Sequence, residues 1–147
     1  MPSLPTVLTL AHLIGLALGV GCATAKLTLL LKSKSDPAFL PAFIAVSRPV
    51  TRLIITGLAL LTLSGIGWLL LGRPFTPLLV VKIALVAAIW ALGPVIDNVV
   101  EPRFLKSAPG RGESPSPAFV RFQRQYLILE VIATGLFYAV MVLWILL

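Results

Sequence analysis

The chain has 147 residues, 59% of them apolar and only 12% charged, with 12 Lys and Arg against 5 Asp and Glu for a net charge of +7. A mean hydropathy of +1.04 lies far from the balance of a water-soluble domain and leaves no room for one beside the apolar runs. The basic residues fall between those runs, where they set orientation and meet anionic headgroups, so nucleic acid is excluded as a partner and the lipid bilayer is the expected one.

The first apolar run predicts a membrane span over about 6–31. It lacks the positive leader of a secretory signal and runs too long for one, so it reads as a retained span. Asp36-Pro37 and Pro41 stop it. In the next segment Phe39, Leu40, Phe43 and Ile44 lie beside basic neighbours, the pattern of a stretch resting on the membrane surface. A second span is expected over about 52–71 and a third over about 78–98, joined by a tight turn at Gly72, Pro74 and Pro77 so that the two form a hairpin. Gly93-Pro94 should bend the third span. The Pro, Ser and Gly content of about 99–118 predicts a mobile inner loop, and a fourth span over about 122–147 completes the chain.

These runs are unbroken, unlike the short alternating strands of a membrane barrel. The expectation is all-α: a single-domain, integral membrane four-helix bundle. Lys32, Lys34, Arg48 and Arg52 follow the first span, and Arg103, Lys106, Arg111, Arg121 and Arg124 follow the third, whereas the second turn carries only Arg73. Positive connections stay inside, which places both termini outside.

Depth can be counted along each helix at about 1.5 Å per residue. The count puts His12 and Lys82 at similar depth near the outer ends of spans one and three, and Lys26, Asp97 and Glu130 together in the inner half. A Lys26–Glu130 pair is the expected partnership, with Arg124 as the other cation near Glu130. His12, Gly15, Gly19, Cys22 and Lys26 recur every three or four residues and form one packed stripe. Gly15 and Gly19 on it, and Gly57, Ser64, Gly65 and Gly67 on span two, suit close helix packing. Thr56 and Thr62 can bond back to their own helix. His12 reads equally as a cofactor ligand and as a neutral histidine bonded across an interface. Lys26 and Lys82 are near enough to an interface to snorkel, Cys22 reads as a packing residue, and the Trp and Tyr residues read as anchors or packing.

The stretch "SRPVTRLIITGLALLTLSGIGWLLLGRPFTPLLVVKIALVAAIWALG", with "HLIGLALGVG" before it, resembles the four-helix bacterial membrane proteins grouped around the copper-resistance protein D domain and the HemJ-type protoporphyrinogen oxidases. The likeness covers spans one to three. It implies a multi-pass protein of the bacterial cytoplasmic (inner) membrane. It also implies a cofactor-binding role, toward haem b or a porphyrin, for His12 and Lys82, which stand at the matching places. The chain has a single histidine, so bis-histidine haem within one protomer is excluded, and it lacks the clustered ligands of a copper carrier.

Three functions follow. The first is a non-catalytic accessory or scaffold subunit, docking through its glycine seams on other membrane subunits or a second copy of itself and keeping a vestigial cofactor pocket. The second is a haem- or porphyrin-associated redox protein using His12 and Lys82. The third is a proton or metal transporter built on Lys26, Asp97 and Glu130, although no interrupted helices recur in matching halves. One histidine without a second ligand leans against an autonomous enzyme.

Overall fold

The computed structural model describes residues 3–110 and 112–146. Among them are four helical stretches long and apolar enough to cross a membrane, Leu4–Ser35, Pro37–Leu70, Pro77–Lys106 and Pro117–Leu146. Helix α1 is Leu4–Ser35, and a 3-10 turn at Pro37–Phe39 leads into α2, Leu40–Leu70. Helix α3, Pro77–Val95, passes through a π turn at Ile96–Val100 into α4, Glu101–Lys106, and α5 is Pro117–Leu146. Apolar side chains such as Leu63, Leu70 and Ile145 cover the outward faces as well as the interior, as expected for helices solvated by lipid.

Local chemistry sets the helix ends. Ser3 accepts from the Thr6 amide and Thr76 from the Leu79 amide, each satisfying an orphan donor at the head of a helix, with Pro5 and Pro77 in the first turn. Asp36 closes α1 in an extended conformation and its carboxylate accepts from the Ala38 amide at 3.2 Å. Gly72, at φ +83°, supplies the left-handed residue that turns the chain from α2 toward α3.

Two boundaries differ from the sequence reading. The segment before residue 52 does not rest on a surface: it is the first part of α2, with Leu40 and Phe43 buried against Leu30 and Phe104. Pro41 lies in the first turn, where its missing N–H is not needed, and Pro49 is carried inside the helix. The second difference is at 99, where no loop opens. The helix continues to Lys106, because the π turn between Pro94 and Pro102 lets the Glu101 amide bond to Ile96 O and so absorbs the register disturbed by the prolines. Glu101 and Phe104 are consequently buried and only 107–116 connects to α5.

The four membrane-length stretches run antiparallel to their sequence neighbours, so the α2–α3 turn, the N-terminal end of α1 and the C-terminal end of α5 share one end of the bundle, the turn end; the opposite end is the loop end. Helix α1 packs between α2 and α5, and α3 packs on α5. The α1–α2 contact is a glycine seam. A Cβ on Gly57 would stand 2.6 Å from Gly19 N and 2.9 Å from Gly15 O, so only glycine permits this approach. Gly19 also receives the Phe137 ring from α5.

The expected hairpin of spans two and three is antiparallel but not packed. Helices α2 and α3 stand apart toward the turn end, and the Trp90 indole N–H donating to Thr62 Oγ1 at 3.0 Å bridges them farther down. Helix α2 has turned Gly57 and Gly67 toward α1, leaving bulky Ile66 and Leu69 on the side facing α3.

Candidate functional site

Two polar sites interrupt the apolar interior. The first is at the turn end, where a cavity of about 310 Å³ opens between α2 and α3. His12 of α1, Lys82 of α3 and Trp144 of α5 line it together with Leu61, Gly65 and Val86, and Arg73 of the turn lies at its rim. His12 and Lys82 are both buried, and Lys82 Nζ lies 3.3 Å from His12 Nε2.

The direction of each hydrogen bond follows from the donors available. Ser64 Oγ lies 2.7 Å from Leu60 O and 3.1 Å from Leu61 O, and its one hydrogen is taken by this backbone bond. Toward His12 Nδ1, 2.8 Å away, Ser64 therefore accepts, so Nδ1 carries the imidazole proton. Nε2 is then the lone pair that accepts from the Lys82 ammonium. The imidazole lies 6.1 Å from the Trp144 ring, inclined by 28°, which fixes its plane.

Lys82 has three N–H donors and gives one to His12. Among the described residues it has no carboxylate partner, nor has Arg73, whose guanidinium rests 5.3 Å over the Trp68 ring. The cavity thus has a cationic upper end and an apolar body, the chemistry that receives an acidic headgroup attached to an apolar frame.

The second site centres on Lys26. Its Nζ lies 3.0 Å from Glu130 Oε1, 3.3 Å from Glu101 Oε2 and 3.5 Å from Asp97 Oδ1, and donates to Thr51 Oγ1 at 2.8 Å. All four membrane-length helices meet at this one ammonium. Ser47 and Tyr126 donate to the two oxygens of Glu101 at 2.8 and 3.1 Å, and Lys26 stands 5.5 Å over the Tyr126 ring. An aromatic layer of Phe43, Phe104, Phe119 and Tyr126 closes the core on the loop side. A cleft of about 200 Å³ lined by Arg48, Arg52, Asp97 and Glu101 leads toward it from the surface.

The structure brings together His12 with Lys82, and Lys26 with Asp97 and Glu130. Arg124 is exposed on α5, away from Glu130. Both lysines are buried rather than extended to an interface. Cys22 is a half-buried free thiol. Thr56 and Thr62 bond back to Arg52 O and Leu58 O. Gly65 departs from its packing assignment: a Cβ there meets nothing within 4 Å. It lies one residue beyond Ser64, and that rotation of about 100° takes it from the α1 seam to the cavity wall.

Glu101, Thr51, Ser47 and Tyr126 were not expected in the Lys26 cluster, nor Arg73 and Trp144 at the cavity. Glu101 lies four residues after Asp97, so continuing the helical count through Pro102 puts it on the same face. Comparisons of the chain with known protein families, curated proteins and solved structures returned no match.

Proposed function

We propose that the chain is a multi-pass protein of a bacterial cytoplasmic membrane, with both termini outside, that holds an amphipathic acid in its turn-end cavity. The observation that carries this reading is a buried Lys82 ammonium, partnered among the described residues only by a neutral imidazole nitrogen, facing an apolar cavity. A buried cation without an anion is costly unless one is supplied, and a ligand carboxylate or phosphate supplies it. The orientation is supported by charge: Lys32, Lys34, Arg48, Arg52, Arg103, Lys106, Arg121 and Arg124 gather toward the loop end, against Arg73 at the turn.

The resemblance to the copper-resistance protein D and HemJ-type group suggests a porphyrin as one such acid, because it joins carboxylates to a flat apolar body. Lys82 fits a propionate anchor. Axial coordination of haem iron by His12 does not fit, since Nδ1 is bonded to Ser64 and Nε2 faces Lys82. His12 is better suited to positioning the ammonium than to ligating metal.

The test is a titration of the purified protein, in mild detergent, with protoporphyrin, alongside absorption spectra of oxidised and dithionite-reduced samples. Lys82→Met should weaken porphyrin binding by about tenfold or more, the loss of one charge-assisted contact in a desolvated site, while His12→Ala should weaken it less. Equal binding by wild type and Lys82→Met would refute the anchor.

A second reading, a non-catalytic accessory or scaffold subunit, draws support from the Lys26 cluster, which ties every membrane-length helix into one body without a reactive group left open. Its docking surface would not be the glycine seam, since Gly15, Gly19 and Gly57 are already filled by neighbouring helices. Stoichiometric co-purification with other membrane subunits, from a protein that takes no porphyrin, would establish that reading in place of the first.

A further inference from the structure

We propose that the turn-end cavity is filled sideways, from the lipid phase through the gap between α2 and α3, by an amphiphile with its acidic groups at one end, and that Gly65 leaves room for it. The inference rests on the ligand-binding reading above and adds the route and the ligand class. Three observations carry it.

The first is the separation of α2 and α3. Consecutive antiparallel helices joined by a short turn usually pack along their length, yet here their facing sides diverge around the cavity. The gap is bounded on the loop side by a hydrogen bond across it and on the turn side by the connection itself. Trp90 of α3 donates to Thr62 of α2 at 3.0 Å on the loop side, and Arg73 covers Trp68 at 5.3 Å on the turn side. Between them the rim is formed by Ile66 and Ile83, exposed by 48% and 42% on the lateral face that apolar helices present to lipid.

The second observation is polarity. Arg73, Lys82 and His12 lie toward the turn end of the cavity, and Leu61, Val86 and Val140 form its apolar wall. This is the order in which a membrane-dissolved acid presents its own parts, with the head near the interface and the body toward the core. Such a molecule can slide across the gap without rotating or leaving the bilayer. A small hydrophilic anion has no use for the apolar wall, and a volume of about 310 Å³ is at the lower limit of ligand pockets, suited to one slender or flat body rather than paired acyl chains.

The third observation is Gly65 itself. Gly57 is required by the α1 seam, but a Cβ on Gly65 meets no atom of the described residues within 4 Å, so packing among them does not account for it. Glycine in a helix interior is destabilising relative to alanine by up to about fivefold in the local equilibrium. The open space beside Gly65 belongs to the cavity, where any side chain would take the place of the ligand.

The experiment uses the full chain in phosphatidylcholine vesicles doped with a photoactivatable palmitate, with adducts mapped by mass spectrometry. The wild type should be labelled on cavity residues of α2 and α3, and unlabelled palmitate should compete while a large excess of aqueous acetate or phosphate does not. Gly65→Leu should reduce that labelling at least about tenfold with a thermal midpoint no lower than that of the wild type. Ile83→Trp, which narrows the gap from the α3 side, should act in the same direction and serves if Gly65→Leu does not fold. A folded Ile83→Trp labelled like wild type would overturn the lateral route while leaving the cavity as a binding site, and a folded Gly65→Leu labelled like wild type would overturn the role of Gly65. Competition by acetate or phosphate would overturn the ligand class in favour of a water-borne anion. Wild-type labelling that palmitate cannot compete would overturn this inference, and wild-type failure to bind protoporphyrin as well would take the ligand-binding reading with it.

Discussion

Lys26→Met should destabilise the folded bundle by about 3–5 kcal/mol, the range found when one partner of a buried ionic group is removed. The reason is the company Lys26 keeps. Its ammonium stands between Glu101, Glu130 and Asp97, and the first two are buried, so a methionine of similar length leaves carboxyl groups facing one another in an apolar interior. Ser47 and Tyr126 still donate to Glu101, but neither reaches Glu130, whose Oε1 has among the described residues only the Lys26 ammonium, at 3.0 Å. Unfolding in mixed detergent, followed by far-UV circular dichroism, measures the loss. The triple variant Lys26→Met, Glu101→Gln, Glu130→Gln should recover a large part of it, because it removes the two buried charges that Lys26 balances and leaves only the partly exposed Asp97. A single Lys26→Met as stable as wild type would mean that the cluster does not hold the helices together.

Gly57→Leu should have the next largest effect, separating α1 from α2. Even the first carbon of a side chain would stand 2.6 Å from Gly19 N and 2.9 Å from Gly15 O, and backbone atoms in the middle of two helices cannot yield as a flexible side chain can. Overpacking a well-fitted contact costs about 1–3 kcal/mol for small insertions, so Gly57→Ala should fall in that range and Gly57→Leu beyond it. The damage should reach the cavity, since the bond between His12 Nδ1 and Ser64 Oγ spans the same interface at 2.8 Å. Gly65→Ala is the matched control, with the same chemical change on the same helix into open space. Equal midpoints for Gly57→Ala and Gly65→Ala would contradict the seam.

Much of the fold was legible because lipid imposes a simple rule on sequence: long apolar runs separated by basic and proline-rich breaks. What misled were prolines. Pro41 was read as a stop and the proline-rich stretch from 99 as a loop, yet Pro41 lies in a first turn, Pro49 is carried within α2 and Pro102 follows a π turn, and the helices run through all three. The error at Pro102 also hid Glu101, one of the three carboxylates on Lys26. Depth counting grouped His12 with Lys82 and Lys26 with Asp97 and Glu130, because rise per residue is nearly constant in a helix and needs only the turn positions. It says nothing of direction around the axis between helices. Gly57 and Gly65 therefore looked alike, although one faces a backbone and the other a cavity. Nor did the sequence disclose that α2 and α3 stand apart, since a short turn constrains only their ends.

The order of packing also bears on how the bundle is made. Helices α1 and α2 have each other as soon as both exist, but α3 leans chiefly on α5, which is synthesised later. A chain built from its N-terminus thus holds one finished pair and one helix awaiting its mate, and final closure joins two halves of different age. The opening between α2 and α3 lies on the line where those halves meet. An occupant touching Leu61 on one side and Val86 on the other belongs to both, so it ties early and late parts of the molecule together and makes the completed assembly more durable than the empty one.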